Sequence, residues 1–537
     1  MRLRFHQIVV GLDFTEADIV REIARRLACR EEDLSAIATV RRSLDARHRD
    51  RPPRYVLTVE ADYKGTAVTA ISAGGVDEVN RGLTDRRSTR PRSRFRSRSP
   101  ARKRPVVIGA GPAGLMAALA LSEAGLGPML FERGSAAQKR TLEVDAFWRQ
   151  GVLNLESNVL YGEGGAGLFS DGKLTTRIKD RANIRHFLQV LVDCGASPEI
   201  MVDAEPHLGS DVLAGIIPRL RDRIQDQGGS VTFGARLESL HIDGGSVRGV
   251  TISGKQITTD ACFLGTGHSA RDVYEMLVSA GIPLEPKPFA MGVRVEIPQH
   301  RINTAQYGRF ADHPRLGSAS FRLTRASERG ARSCYSFCMC PGGTVIPCAS
   351  SDEMLTTNGM SRSDRGRPFG NAAFLVPVRP ADFAGSEEDE ALSGIEFQKR
   401  WERAAYDAGG GGFALPAQPL TAFIQGKCPN ELPEARSCAR AASADLRGVL
   451  PSFVADTLRV AVPKMVRDLR GTKIEEVLLY AAETRSSSPV RILRSAESGQ
   501  SIGACGLYPI GEGAGYAGGI VSSGVDGLRA AEHLLRS

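Results

Sequence analysis

The hydrophobic positions change their period along the chain, and each change marks an element. Arg4 to Leu12 reads as a strand, and Ile19, Ile23 and Leu27 then recur at i, i+4 and i+8, which predicts a helix with one apolar face. Thr15 stands where that helix needs a cap, with Asp18 three residues later. Two further strands are predicted around Ala36 to Arg41 and Tyr55 to Glu60. Together these elements suggest a small ferredoxin-like α/β module over residues 1–62. The apolar pattern then lapses over residues 63–104 and returns at Pro105. Val106-Val107-Ile108 predicts a short buried strand, Leu115 to Ala124 an Ala-rich helix, and Pro128-Met129-Leu130-Phe131 a second strand. From there the chain reads as one large α/β unit. Residues 105–282 form its first part, 283–430 an inserted mixed α+β substrate or cap domain, and 431–537 its return segment.

Charge changes the picture once. The formal net charge is +9, which on its own suggests a nucleic-acid partner. Arg81 to Arg104, however, holds ten Arg and one Lys against the single acid Asp85, leaving the remainder close to neutral. A basic binding face on the folded part is therefore not implied. The Arg/Ser-rich stretch is too poor in apolar residues to offset ordering and is expected to be a disordered tether, with RNA or anion binding as its alternative role. The ten cysteines are mostly scattered and the first residues lack a secretory pattern, so free thiols in a cytoplasmic compartment are expected. The uncharged run Pro105 to Ser122 contains Gly-Ala-Gly-Pro-Ala-Gly and reads as strand, turn and helix rather than a membrane span.

That glycine run carries the chemistry. Gly109-Ala110-Gly111-Pro112-Ala113-Gly114 lies between a strand and a helix, and Glu132 ends the next strand 18 residues after Gly114. This is the βαβ arrangement of a Rossmann dinucleotide site. Gly109 permits the tight turn, Gly111 lets a pyrophosphate approach the backbone, Gly114 packs helix on strand, and Glu132 can accept from ribose hydroxyls. Two further runs match the same spacing. Gly162 to Gly167 precedes a polar loop and suggests a glycine-rich cover over a cofactor. Gly513 to Gly518 precedes a last helix, and no second ribose-binding strand follows it in this sequence.

The pair Gly-Ala-Gly-Pro-Ala-Gly and Gly506 to Gly519 resembles the two FAD-contacting motifs of glutathione-reductase-like Rossmann flavoproteins. Ala261 to Gly267 is similar to the middle motif of that superfamily, and Val231 to Arg236 to the strand whose backbone meets adenine. The late motif usually ends its strand in Gly-Asp; here Glu512 takes the Asp position. A narrower resemblance runs through GEGGAGLFSDGKLTTR, TGHSARD, FCMCPGG, TNGMS, ETRSSSPVRI and the late motif, with RRSLDAR near the start. It identifies the chain as a member of a family described as uncharacterised FAD-dependent dehydrogenases, from whose pattern the Arg/Ser stretch departs. The resemblance implies FAD as cofactor. It implies contacts from Gly109, Gly111, Pro112, Ala113, Gly114, Glu132, Arg133, Gly164, Gly165, Ala166, Lys173, Ala235, Arg236, Thr266, Gly267, Gly511, Glu512, Gly518, Gly519 and Ile520.

For catalysis the residues leave alternatives open. Cys338 and Cys340 can be a dithiol beside the flavin or two small core residues; strand alternation would put them on one face. No second CxxC or His pair accompanies them, so no metal is expected. Lys173 can stabilise an anionic flavin or contact phosphate, and His268 can be an acid–base group or a structural one. Arg485 and Arg491 can bind an anionic substrate or pair within the domain, for instance with Glu483. The function expected is an FAD-dependent oxidoreductase moving a hydride between flavin N5 and a small molecule; the electron donor stays open, NAD(P)H binding transiently or not at all. A flavin monooxygenase, or an RNA-binding or redox-sensing flavoprotein, is the alternative.

Overall fold

The computed structural model describes residues 1–65, 75–79, 103–326, 332–384 and 390–536. At its centre is a five-stranded parallel sheet made of short, mainly apolar runs. Strand Val106–Ile108 lies in the middle, flanked by Met129–Glu132 and then Ser230–Phe233 on one side, and by Cys262–Leu264 and then Leu507–Pro509 on the other. This is the Rossmann strand order, and the runs do not alternate because both faces are covered. Helix Pro112–Glu123 lies on one face and is buried almost throughout. The C-terminal helix Ile520–Arg536 packs against it so tightly that a Cβ on Gly527 would stand 2.0 Å from the Ala113 carbonyl oxygen. An antiparallel meander, Leu237–Asp243, Ser246–Ile252 and Lys255–Thr258, makes the crossover between the third and fourth strands.

The cap is a seven-stranded mixed sheet. Its order is Thr324–Arg325, Cys334–Cys340, Phe369–Val378, Phe289–Pro298, Leu478–Glu483, Leu415–Pro419 and Ala441–Ser443. Helix Ser452–Asp468 contributes Val454, Leu458, Val462 and Met465 to the apolar core on this sheet. The cap therefore extends well past residue 430, where the sequence suggested that it ends. An apolar helix followed by a buried strand reads alike in either domain; only pairing of Leu478–Glu483 with Phe289–Pro298 assigns it to the cap.

The N-terminal module has strands in the order Leu34–Asp45, Arg54–Tyr63, Arg2–Val10, Val76–Glu78, all antiparallel, with helix Glu16–Leu27 against them. That is the strand order of a ferredoxin-like sheet. The Asp18 carboxylate accepts from the Thr15 amide at 2.9 Å, as a capping residue should. Val76–Glu78 lies beyond the expected boundary at 62: part of the stretch read as linker pairs with the first strand. Residues 80–102, and with them the expected disorder of the Arg/Ser segment, lie outside the described residues. The module docks through the Arg42 guanidinium on Asp203 at 2.7 Å and through paired backbone bonds between Arg42 and residues 202 and 204. Among the described residues no helix is long and apolar enough to cross a membrane.

Candidate functional site

All three parts converge on one cleft of about 2130 Å³. A typical ligand pocket spans roughly 300–1,000 Å³, so this one has room for a large cofactor and a second molecule. Its floor is the dinucleotide turn. Gly109 has φ +95°, and a Cβ there would lie 2.4 Å from the Gly265 oxygen. A Cβ on Gly114 would lie 1.9 Å from the Gly109 oxygen, so this glycine sets helix against strand. Gly111 differs: its nearest neighbour to such a Cβ, Gly165 Cα, is 3.8 Å away. The space in front of Gly111 is thus open toward the cleft, as an approaching pyrophosphate requires. Two helix N-termini, at Pro112 and Ile520, border the same cleft, and their first-turn amides have no partner within their helices.

Most of the residues expected to hold the cofactor line this cleft; Gly114 and Gly164 do not, and serve behind its wall. The Gly164 amide donates to the Ala110 carbonyl at 2.8 Å, which seats the second glycine run directly on the dinucleotide turn. Glu132 is buried and accepts from the amides of Ala110, Gly134 and Gly162 at 2.7, 2.9 and 3.0 Å. It therefore braces the turn as well as facing the cleft, a double role that spacing alone did not reveal. Arg133 and Arg236 line the cleft while both pair with Glu156. Ala235, Thr266 and Gly267 also line the cleft, as do Gly511, Glu512, Gly518, Gly519 and Ile520 of the return motif.

The wall behind the glycine loop depends on a residue the sequence did not single out. Arg140, on helix Ala137–Gln150, is fully buried and donates to the carbonyls of Asn158, Val159, Gly162, Glu163 and Gly165 at 2.8–3.2 Å. Burial pushes its guanidinium down to about 10, opposed by Glu132, Glu163 and Glu143, so it stays charged at neutral pH. A second unforeseen group ties Rossmann unit to cap. Glu402, with no exposed surface, takes both guanidinium faces of Arg271 (2.8 and 2.9 Å) and Arg485 (2.7 and 2.9 Å). Arg485 was expected to meet an anion or to pair within the domain, for instance with Glu483; it pairs within the domain, with Glu402, while Glu483 pairs with Arg294. Arg491 pairs with Glu285.

The catalytic candidates separate clearly. Lys173 lines the cleft, but its ammonium donates to the Met339 carbonyl and sits 3.7 Å from Asp171, so it is bound to the cap strand. His268 lines the cleft with its Nδ1 buried and unpartnered; burial, then the charges of Arg485 and Arg271, push it down to about 3. It is therefore a neutral imidazole at physiological pH and not a proton donor there. Glu512 shows the opposite effect: burial pushes its carboxyl up to about 7, against the pull of Lys287, so it can carry a proton near neutrality. Cys338 lines the cleft and Cys340 lies buried behind it. Their neighbourhood does not come from simple alternation, because the strand register slips between Phe337 and Cys340 and Cys338 has φ +46°. Among the described residues no cluster of His, Cys, Asp or Glu is arranged to hold a metal ion.

Residues 104–263 match the family described as FAD binding domain, residues 288–486 that described as FAD-dependent protein, C-terminal domain-like, and residues 2–62 a domain of unknown function. Among solved structures, a tetracycline destructase, Tet(51), is 12% identical over 80% of each chain with a TM-score of 0.32. A halogenase, PltM, in complex with FAD is 10% identical over 81% of this chain and 70% of its own, with a TM-score of 0.39. An uncharacterized protein of Clostridium beijerinckii is 39% identical over 540 residues, covering 100% of this chain and 99% of the relative. The chain belongs to the same family as that clostridial protein, and its Rossmann unit is an FAD-binding domain.

Proposed function

We propose that the protein is an FAD-dependent oxidoreductase of the dehydrogenase or reductase type, built on a glutathione-reductase-like arrangement. The observation that carries this reading is the continuity of one cleft from the dinucleotide turn to the underside of the cap sheet, with space beyond that of a single ligand. FAD would supply the hydride chemistry, at its N5 position. The turn at Gly109–Gly114 and the two helix N-termini would hold the pyrophosphate, and Glu132 the ribose. The Gly162–Gly167 loop would cover the cofactor and exclude water, with Arg140 holding that loop rigid. The Glu512 carboxyl is the group best suited to hold or pass a proton, since burial keeps it near neutrality. The cap and the N-terminal module, through Arg47 and Arg49 at the cleft, would frame the substrate, a small molecule.

The test is an anaerobic titration of the FAD-loaded protein with NADPH and then NADH, following the visible flavin band. The proposal expects at least one of them to bleach the band roughly a hundredfold faster than it bleaches free FAD. Bleaching by both at the rate of free FAD would contradict a nicotinamide-fed reductase.

A further inference from the structure

We propose that Cys338 and Cys340 are a redox-active dithiol that closes to a disulfide and reopens by two-electron exchange with FAD in the adjoining cleft. The proposal rests on the oxidoreductase reading above. On a regular strand, residues two apart stand about 6.6–6.8 Å apart, near the upper limit of about 6.8 Å for bridged Cα atoms. Here the strand is not regular. The left-handed backbone at Cys338 (φ +46°) and the slipped register between Phe337 and Cys340 kink the chain at this pair. The Cys340 thiol donates to the Cys338 carbonyl oxygen at 3.4 Å, so its sulfur turns back toward Cys338. A positive φ at a non-glycine residue is unfavourable and persists only where the surroundings impose it.

The surroundings are those of a reactive thiol. Cys338 borders the cleft and Cys340 is buried at its back, the division between an attacking and a resolving sulfur. The hydrogen bond from Cys340 and the charges of Lys173 and Arg294 hold the Cys338 thiol below the ordinary range; burial opposes them. Cys262, Cys334, Cys348 and Cys438 behave as core cysteines, pushed by burial to about 12. Glu512 of the return motif lines the same cleft as Cys338. On oxidation the two S–H bonds break and the S–S bond forms, giving two electrons to oxidised FAD and releasing two protons, one of which the Glu512 carboxylate can take while the other goes to solvent. In the reverse sense, reduced FAD gives two electrons, two protons are taken up, and the disulfide opens to two thiols.

The test uses the holoprotein, oxidised with excess oxidised glutathione and freed of it. Alkylation and peptide mass mapping should find Cys338 and Cys340 unalkylated and their peptide lighter by two hydrogens, while Cys334 and Cys348 are alkylated, a readout that needs no flavin signal. Anaerobic dithionite titration should then consume two more electrons per FAD in the wild type than in Cys340→Ser, doubling the uptake. Should Cys340→Ser fail to retain FAD, Cys338→Ala replaces it, and the mapping stands on the wild type alone. After photochemical reduction of the flavin without added thiol, both cysteines should become alkylatable. Two free thiols after glutathione oxidation, or equal uptake by wild type and variant, would overturn the proposal. A disulfide that persists beneath a fully reduced flavin would overturn it too, while leaving the oxidoreductase reading intact.

Discussion

Glu402→Gln is expected to cost the protein about 3–5 kcal/mol of stability, because it leaves two buried guanidinium groups facing one another without their shared anion. The carboxylate sits between Arg271 and Arg485 and also accepts from the Thr484 hydroxyl at 2.9 Å. Burial alone would raise its proton affinity, but the two arginines override it and hold the carboxyl far below the usual range. The sign of the pH dependence follows. A carboxyl depressed in the folded state contributes fully above its unfolded value, near 4.3, and loses that contribution as pH falls toward its folded value. Chemical denaturation across pH should therefore show the gap between wild type and Glu402→Gln closing below about pH 4.3. Combining Glu402→Gln with Arg271→Gln restores the net charge of the group and should recover part of the loss. Losses that simply add would mean that the three residues do not act as a unit.

Arg140→Met should unseat the glycine loop. The substitution keeps much of the apolar volume but orphans the carbonyls of Asn158, Val159, Gly162, Glu163 and Gly165. Each buried acceptor left without a donor costs about 1–3 kcal/mol, although the loop can relax toward water. A net loss of about 3–5 kcal/mol is expected. The effect on FAD should exceed the effect on the global fold, since Gly162 to Gly165 rest on the dinucleotide turn. Arg140→Lys should not rescue it: one ammonium offers three donors from a single point, where the guanidinium fork reaches five carbonyls. Thermal melts with and without added FAD separate the two effects. A variant that melts as the wild type does, with FAD retained, would remove Arg140 from this role.

What the sequence conveyed and what it did not divide along physical lines. The turn at Gly109 to Gly114 was legible because backbone geometry and close packing demand glycine at fixed spacing, and an added Cβ would clash at Gly109 and Gly114 where that reasoning required it. The strand pattern of the N-terminal module was legible for the same local reason. Arg140 was not, because it stands on a mixed helix beside Lys139 and Glu143 and only the fold turns it inward. The partners of Glu402 come from helix Arg271–Ser279 and from the segment after Leu478–Glu483, so no local pattern links them. Alternation misjudged the route by which Cys338 and Cys340 meet, since a register slip is set by the neighbouring strand Phe369–Val378. The cap boundary failed for a related reason: strand pairing across hundreds of residues assigned Leu478–Glu483.

The measurement that tests the account most directly is FAD uptake by the apoprotein, wild type beside Gly111→Ala, with melting of both apo forms. Gly111 has φ −78° and no heavy atom within 3.8 Å of an added Cβ, so the alanine variant should fold as the wild type does. Its methyl group would nevertheless occupy the approach of the pyrophosphate and displace hydrogen bonds to a charged ligand, each worth about 1.5–3 kcal/mol. The account predicts one FAD per wild-type chain, and binding about 10- to 100-fold weaker in the variant with an unchanged apo melt. A wild-type protein that takes up no FAD, or a variant that binds it equally well, would contradict the placement of the cofactor on this turn.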